Sequence, residues 1–348
     1  VLFGTAGYYV IMDDGKVAGL VAKNDEGYVK FNCKAVVVAT GGFGGNQAMM
    51  NDLIPDMYNA LAEGESLSCM SGRDGSGVKM AYWAGAHLET TPVAGMNMKG
   101  LSVPGKMNVL PQAVWVDENG KRFCNEGAIA QLQAVCLRQP AGLSCYVTDA
   151  NWKQTVGSAP LDHGAPNFGM DDYMVQLEAG MNAVEVGNPE GGFVVGANLA
   201  ERKMMGGTVY AANTLEELAD MLGYEGDAKQ NFLDSIAHYN ELCASEDGDT
   251  DYGKDKAYMV PIDTPPFYGG TSSTSHSTSP MMVTMSGLMT DAAQNVLKTD
   301  WTKIKGLYAA GNCLGGRYGF GYSTPFAGNS VGMAMTHGWL AGHTVGQL

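Results

Sequence analysis

One short segment limits the folds open to this chain more than any other. Residues 35–39 form an unbroken apolar run, Ala-Val-Val-Val-Ala, and Thr40, Gly41 and Gly42 follow it directly. Apolar runs without alternation are typical of strands covered on both faces of a parallel or mixed sheet. In α/β sheets of this kind, ligands bind in the crevice beyond the carboxyl ends of the strands. The sequence therefore predicts an α/β fold with a ligand site directly after Ala39.

A second segment that runs from a strand into glycine lies near the C-terminus. A strand is predicted over Leu307–Ala310, Gly311 and Asn312 follow, and Asn329 after Gly328 is predicted to N-cap a helix. The apolar residues of that helix recur at helical spacing: Val331, Met335 and Trp339. Backbone N–H groups at a helix start carry partial positive charge and suit an electron-rich or anionic ligand. A glycine-rich helix start also serves ordinary packing, so both interpretations stay open here.

The N-terminal segment is predicted to be a β-meander. Three β-rich runs, at residues 8–12, 17–22 and 28–32, are separated by Asp-Asp-Gly and Asp-Glu-Gly turns. Further along the chain, a helix is predicted after Asp74-Gly75, closed by Gly85.

Two more helices are predicted in the middle of the chain. Thr214 and Glu217 have the spacing of a capping box at the start of the first. The second carries its apolar residues on one face: Phe232, Ile236, Tyr239 and Cys243.

The composition argues against several classes of protein. A formal net charge of −15 does not suit a partner that is nucleic acid or an anionic membrane surface. No apolar run reaches the about 20 residues of a membrane span and no signal segment begins at Val1, so we expect a soluble chain whose compartment stays open. The seven cysteines are scattered singly and the six histidines lack metal-ligand spacing. We therefore predict neither a disulfide framework nor a metal site, and a structural role for His337.

Five motifs occur in a fixed order along the chain. They are Val36–Phe43, Asp74–Gly77, Asn119–Glu126, Thr284–Gly287 and the C-terminal segment Gly306–Gly332. In these motifs and their order, the chain resembles the flavoprotein subunit family of fumarate reductases, succinate dehydrogenases and 3-ketosteroid dehydrogenases. The resemblance implies an FAD-dependent oxidoreductase that acts on CH–CH bonds.

The resemblance also implies a domain organisation. A discontinuous Rossmann-like FAD-binding domain of the glutathione-reductase type would cover residues 1–86 and 283–348, with an α+β cap domain inserted at residues 87–282. The sequence has no strand–GxGxxG–helix unit, the fingerprint that holds a dinucleotide pyrophosphate in such domains. The chain is therefore expected to resemble the C-terminal portion of a longer enzyme. Strong FAD binding by this portion alone is not expected.

Eight residues match positions at which the family contacts FAD. They are Ala39, Thr40, Gly41, Asp74, Asn312, Asn329, Ser330 and Val331. The family usually has glutamate at the position of Asn312, where it binds the ribityl chain. Asparagine keeps a hydrogen bond there and loses the charge.

The expected substrate-binding residues depart from the fumarate reductase pattern. Two family histidines align with Met282 and Val283, and the family's Thr-Arg-Asp, whose arginine is the acid, falls near Ile129–Gln131. Each charge-assisted hydrogen bond lost in this way removes about 1.5–3 kcal/mol of binding energy. A dicarboxylate is thus a poor substrate, and the prediction is an enone or enoate that is larger and less charged than fumarate.

The replacement chemistry is predicted in the loop Gly316–Pro325. This loop is similar to a stretch of 3-ketosteroid dehydrogenases in which a tyrosine holds the substrate carbonyl. Tyr322 would then polarise the carbonyl or donate a proton, with Arg317 adding positive potential and Tyr318 beside them. The alternative is that these aromatic residues only pack under the cap. Arg122 is predicted to be a structural residue of a hairpin.

Three functions stay open from the sequence. The first is hydride transfer from flavin N5 to an activated C=C bond, and the second is the reverse reaction of a 3-ketosteroid-type dehydrogenase. The third is a non-catalytic fragment that binds no cofactor. For an enzyme, the expected partners are a small-molecule substrate and an electron donor, either a haem protein or a second flavoprotein.

Overall fold

The computed structural model of this chain describes residues 1–55, 69–90, 93, 95–97, 112–127, 139, 144–159, 173–192, 209–271, 281–319, 322 and 328–348. In these residues, strands and helices combine into a mixed α/β fold. In chain order the strands are β1 (Ala6–Asp13), β2 (Lys16–Asn24), β3 (Gly27–Asn32), β4 (Val36–Val38), β5 (Gly95–Asn97), β6 (Val114–Asp117), β7 (Ser144–Thr148), β8 (Val209–Ala212), β9 (Phe267–Thr271), β10 (Met281–Thr284), β11 (Asn295–Leu297) and β12 (Lys303–Ala309). The α-helices are α1 (Gln47–Leu53), α2 (Ser76–Trp83), α3 (Trp152–Gly157), α4 (Tyr173–Asn182), α5 (Leu215–Met221), α6 (Gly226–Ala244) and α7 (Asn329–Val345).

A six-stranded mixed sheet joins the N-terminal and C-terminal parts of the chain. β1, β2 and β3 pair antiparallel in sequence order, which confirms the predicted meander. β12 runs parallel to β4, with Leu307 opposite Val36 and Ala309 opposite Val38. The sequence predicts burial of both faces of β4. Val36 and Val38 are buried, but Val37 is exposed because the described part of the chain leaves that face uncovered.

A four-stranded antiparallel sheet, in the order β6-β7-β9-β8, forms a second layer. Alternate side chains of its strands point to opposite faces. Trp115 and Tyr146 pack with residues of α3 and α4, whereas Val116 and Val147 pack with residues of α5 and α6. The sheet is therefore covered by helices on both faces.

The two helices predicted in this part of the chain are present. The Thr214 hydroxyl accepts a hydrogen bond from the N–H of Glu217 at 3.1 Å, and the Glu217 carboxylate accepts one from the N–H of Asn213 at 3.2 Å. The capping box is thus confirmed. Its reciprocal bond comes from the N–H of Asn213, one residue before the N-cap residue Thr214 from which it is expected. In α6 the buried face includes Leu242, and Cys243 is only half-buried.

The start of α7 differs from the prediction. The helix begins at Asn329, and its N-cap residue is Gly328, whose φ of 78° is left-handed. Asn329 therefore does not cap the helix. Its side-chain N–H group donates instead to the hydroxyl of Tyr318 at 3.2 Å. A glycine at the N-cap with a left-handed φ cannot be told from a loop glycine by sequence alone.

A buried cluster of charges lies beside the second sheet. The guanidinium of Arg122 donates to Glu126 at 2.8 Å and to Asp249 at 2.6 and 2.9 Å, and the ammonium of Lys254 lies 3.4 Å from Glu126. All four side chains are almost fully buried. Arg122 has the structural role predicted for it. Within the part of the chain described here, no helix has the length and apolar character needed to cross a membrane.

Candidate active site

The carboxyl ends of β4 and β12 meet at one edge of the first sheet. The N–H of Ala310 donates to the carbonyl of Val38 at 2.9 Å, and the thiol of Cys313 donates to the same carbonyl at 3.1 Å. Ala39 and Thr40, which follow β4, are exposed at this edge. The crevice predicted after Ala39 is therefore open, and the turn that follows β12 lies directly beside it.

Glycines at this edge allow close backbone approach. A Cβ atom on Gly42 would collide with the hydroxyl of Thr284, which accepts a hydrogen bond from the N–H of Phe43 at 3.1 Å. A Cβ atom on Gly77, at the start of α2, would collide with the side chain of Thr40. Only glycine fits either position.

Arg317 lies at the centre of the candidate site. Its Nη1 donates to the side-chain oxygen of Asn312 at 2.9 Å, and its Nε donates to the carbonyl of Leu314 at 3.0 Å. Its guanidinium lies 5.5 Å from the centre of the Tyr318 ring. Burial lowers the pKa of Arg317, and the electron-rich Tyr318 opposes that effect. The side chain is thus a fixed positive charge at the edge of a water-poor region.

Tyr318 and Tyr322 form an aromatic pair beside this guanidinium. Their ring centres are 4.8 Å apart and their planes are inclined by 69°. Tyr322 is only 5% exposed. Burial, with a further contribution from Tyr318, raises the pKa of Tyr322 to about 12, and burial also raises the pKa of Tyr318. Both phenols therefore keep their protons at neutral pH and can donate hydrogen bonds.

The first turns of α7 face this loop. The hydroxyl of Ser330 donates to the side-chain oxygen of Asn312 at 3.1 Å, and the hydroxyl of Tyr318 donates to the sulfur of Met333 at 3.1 Å. Val331 lies on the other side of the helix, where its side chain is exposed. The structure thus brings together six of the residues singled out from the sequence: Asn312, Arg317, Tyr318, Tyr322, Asn329 and Ser330.

Two residues of the site were not predicted from the sequence. His337, expected to be structural, lies near Arg317, and its buried Nδ1 has no hydrogen-bond partner. Burial lowers the pKa of His337, and the charge of Arg317 adds to that effect. Glu89 carries a buried oxygen, Oε2, that also lacks a hydrogen-bond partner, and it interacts electrostatically with Arg317. The spacing of seven residues between Ser330 and His337 places both on one helical face, and this signal was available.

Asp74 lies at the start of α2 rather than in the cluster around Arg317. Its carboxylate accepts a hydrogen bond from the N–H of Ser76 at 2.9 Å, and the Ser76 hydrogen bonds lower the pKa of Asp74. Gly41 lies next to Arg73: a Cβ atom built on Gly41 would be 3.2 Å from the Cγ of Arg73. The sequence did not single out this arginine. The segment Ile129–Gln131, predicted to lack the family's acid, lies outside the described residues.

The donor set fits one part of FAD. α7 starts without a side-chain cap, so N–H groups of its first turn are left for a ligand. With Arg317 and Asn329 beside them, these N–H groups suit the electron-rich pyrimidine edge of an isoalloxazine. The fit does not extend to the ADP half, since the printed sequence contains no GxGxxG segment.

Comparison with known proteins gives a family and a set of relatives. The sequence model of the family described as FAD binding domain matches residues 3–331. Vinyl phenol reductase of Lactiplantibacillus plantarum is 28% identical, over 96% of this chain and 65% of that protein. NADH:acrylate oxidoreductase of Vibrio harveyi is 26% identical, over 97% of this chain and 30% of that protein.

Solved structures show the same fold. The 3-ketosteroid-delta4-(5alpha)-dehydrogenase of Rhodococcus jostii RHA1 superposes with a TM-score of 0.61 at 21% identity, covering 98% of this chain and 59% of that one. The chain thus spans between about a third and two thirds of the length of the curated relatives named above.

Proposed function

The chain belongs to the FAD binding domain family, and on this premise we propose that it forms the isoalloxazine side of an FAD-dependent oxidoreductase acting on CH–CH bonds. One observation carries the proposal. Arg317, Tyr318 and Tyr322 converge on the uncapped start of α7, where Asn312 and Ser330 are already hydrogen-bonded to each other. A set of neutral and positive donors with no competing cap is what an electron-rich ring edge requires.

The proposed domain organisation follows the topology. The first sheet gathers strands from residues 6–38 and 295–309, whereas the second uses residues 114–271. This pattern supports a discontinuous FAD-binding domain, residues 1–86 and 283–348, with a cap domain inserted at residues 87–282. A Rossmann-like domain of the glutathione-reductase type accounts for the parallel pair β4 and β12 at its centre.

The residues of the site have distinct roles in this proposal. Bound FAD would supply the two-electron chemistry by giving up or accepting a hydride. Tyr322 would donate a hydrogen bond or a proton to the substrate, because its phenol stays protonated at neutral pH. Arg317 would add positive potential where negative charge develops, and Asn312 holds its guanidinium in place.

The walls of the site favour an apolar alkene as substrate. Tyr322 and Met285 form a buried cluster against which Val283 and Tyr318 pack. Val283 stands where fumarate reductases are expected to have a histidine, so an apolar side chain replaces a substrate-binding donor. We propose reduction of an activated C=C bond in an enone, enoate or vinyl arene that is larger and less charged than fumarate, with electrons from a haem protein or a second flavoprotein.

Two observations also support the reverse reaction, dehydrogenation of a saturated ketone. The solved relative of the same fold is a ketosteroid dehydrogenase, and the tyrosine pair would hold a ketone oxygen equally well. Reductases among the curated relatives favour the reductive direction.

The experiment uses the whole protein that carries this chain, loaded with FAD. Anaerobic reduction should bleach the flavin absorbance, and addition of an activated alkene should restore it. Bleaching of the oxidised protein by a saturated ketone without a donor would instead establish dehydrogenation. A protein that takes up no FAD, or whose reduced flavin no alkene reoxidises and whose oxidised flavin no ketone bleaches, contradicts the proposed function.

A further inference from the structure

Glu89 is a half-buried acid that the proposed function does not use. Its N–H donates to the carbonyl of Gly287 at 2.8 Å. The next residue, Leu288, accepts a hydrogen bond from the N–H of Gly315 at 2.9 Å, so the Glu89 backbone lies beside the segment that leads to Arg317.

The Glu89 side chain lies over Gly315, where a Cβ atom would be 2.6 Å from the Glu89 Cβ and 3.0 Å from Oε2. Oε2 is buried without a hydrogen-bond partner. The carboxylate accepts a hydrogen bond from the N–H of Gly316. With its other oxygen buried and unpartnered, a nearby positive charge further stabilises the ionised form.

That positive charge is Arg317, and the dependence is mutual. Among the described residues, the groups that accept hydrogen bonds from the guanidinium are neutral: the amide oxygen of Asn312 and the carbonyls of Leu314 and Met285. They orient the guanidinium without balancing its charge. Glu89 comes from a distant part of the chain and attracts the guanidinium through space.

We propose that Glu89 is a specificity-determining residue that cancels the charge of Arg317 and so selects neutral alkenes over anionic ones. The inference rests on the proposed function and names its substrate class. With both side chains ionised, the pair has no net charge, and a substrate carboxylate meets no unbalanced cation. With Glu89 neutralised, Arg317 becomes an anion-binding residue.

The test compares two substrates that differ only in a carboxylate. para-Vinylphenol is the neutral substrate and para-hydroxycinnamate the anionic one, and kcat/KM is measured for both at neutral pH with the whole FAD-loaded protein. The variants are Glu89→Gln, which removes the charge, and Glu89→Asp, which keeps it. Glu216→Gln, at an exposed position on α5, is the matched control.

The binding of the saturated products gives a readout other than turnover. Dissociation constants of para-ethylphenol and para-hydroxyphenylpropanoate are measured by calorimetry for each variant. We expect Glu89→Gln to raise the preference for the anion about tenfold in kcat/KM and in binding, because a freed charge-assisted hydrogen bond exceeds a neutral one by about 1.4 kcal/mol. Glu89→Asp and Glu216→Gln should keep the original preference.

The pH dependence of product binding is the second readout. Burial raises the pKa of Glu89, against the opposing effects of the Gly316 N–H and Arg317. Lowering the pH should therefore protonate Glu89 and strengthen binding of the anionic product to the unmodified protein. The titratable and charged groups around the pair are the same in the variant: Arg317, Cys313, Tyr318, Tyr322 and His337. Glu89→Gln should thus lose the part of the pH response due to Glu89 and keep any part due to His337.

Two outcomes separate the inference from the proposed function. If the protein turns over but the preference of Glu89→Gln stays within twofold of the original, or rises equally in Glu216→Gln, the inference is wrong and the proposed function stands. If the unmodified protein reduces no activated alkene while holding FAD, the proposed reduction is wrong, and the inference falls with it.

Discussion

Tyr322 and Tyr318 hold their protons because burial raises the pKa of each phenol. Asn329 donates to the hydroxyl of Tyr318, and the Tyr318 proton is directed at the sulfur of Met333. Tyr318 is thus occupied by protein groups on both sides. Tyr322 shares a side-chain hydrogen bond with Tyr318 alone of these groups, and we propose it as the tyrosine of the pair that serves a substrate.

Replacement of Tyr322 by phenylalanine tests this assignment. The change removes one hydroxyl and keeps the ring that packs on Tyr318 and Met285. Because a positioned acid contributes roughly 100-fold or more to a proton transfer, kcat should fall by about that factor with little change in FAD binding. The measurement is steady-state turnover, with Tyr9→Phe on exposed β1 as the control. Unchanged turnover would remove Tyr322 from the mechanism.

Whether the sequence predicts that two residues of the site are close depends on their separation along the chain. Arg317, Tyr318 and Tyr322 share one loop, so their proximity could be predicted from the sequence. Glu89 interacts electrostatically with Arg317 from more than two hundred residues away in the chain, and no local sequence pattern predicts that proximity. His337 was passed over because a single histidine on an apolar helix is usually a packing residue.

Helix α2 and the end of β4 touch at a point where only glycine fits. Gly77 lies against the Thr40 side chain, and Thr40 is a predicted FAD contact. The close approach means that the position of α2 sets the position of the crevice edge.

Gly77→Ala should therefore affect both stability and cofactor binding. The added methyl group collides with Thr40, and overpacking of this kind costs about 1–3 kcal/mol. We expect a lower free energy of unfolding, measured by chemical denaturation, and a higher dissociation constant for FAD. Gly72→Ala is the control, since a Cβ atom there meets nothing within 4 Å. Equal behaviour of the two variants would show that the contact has no influence on the crevice.

Elements whose signals are local could be predicted, and those set by tertiary packing could not. The turns of the meander and the capping box of α5 depend on neighbouring residues, and both are confirmed. The predicted N-cap of α7, Asn329, lies one residue after the observed one, Gly328. The Asn329 side chain donates to the hydroxyl of Tyr318 instead of capping the helix. β4 was expected to be covered on both faces, yet the burial of Val37 depends on what packs above the sheet rather than on its own sequence.

On the scale of the whole molecule, helices differ in how much apolar surface they bury. The helices on the second sheet bury their apolar faces against it. Helix α7 instead exposes three large apolar side chains on its outer face: Val331, Met335 and Trp339, at 65%, 72% and 68%. Helical spacing predicted one apolar face for α7 but could not say which way it points. The inward face carries Ser330 and His337 instead, so the site is built from the more polar side of the helix.

The stability of the second layer depends on the Arg122 cluster, which links segments more than one hundred residues apart. Burial alone would raise the pKa of Asp249, but hydrogen bonds from Arg122 and from the N–H of Lys254 lower it to about 2. Because the folded carboxyl has the lower pKa, its contribution to stability is present above about pH 3.9, the ordinary pKa of aspartate. That contribution is lost as the pH falls from there to about 2.

Arg122→Met should expose this dependence. Removing the guanidinium leaves Glu126 and Asp249 buried with one fewer partner, and breaking a buried pair in this way costs about 3–5 kcal/mol at neutral pH. The pKa of Asp249 should also rise, because the Arg122 hydrogen bonds that lower it are gone. Stability should therefore fall less steeply between about pH 4 and 2 than it does in the unmodified protein. Urea unfolding at several pH values measures both effects. Lys153→Met breaks the exposed pair with Glu178 and should cost less than about 1 kcal/mol with no change in acid response. An equal loss in both variants would mean that the buried cluster contributes no more than a surface ion pair, and the layer would then owe its stability to its apolar core alone.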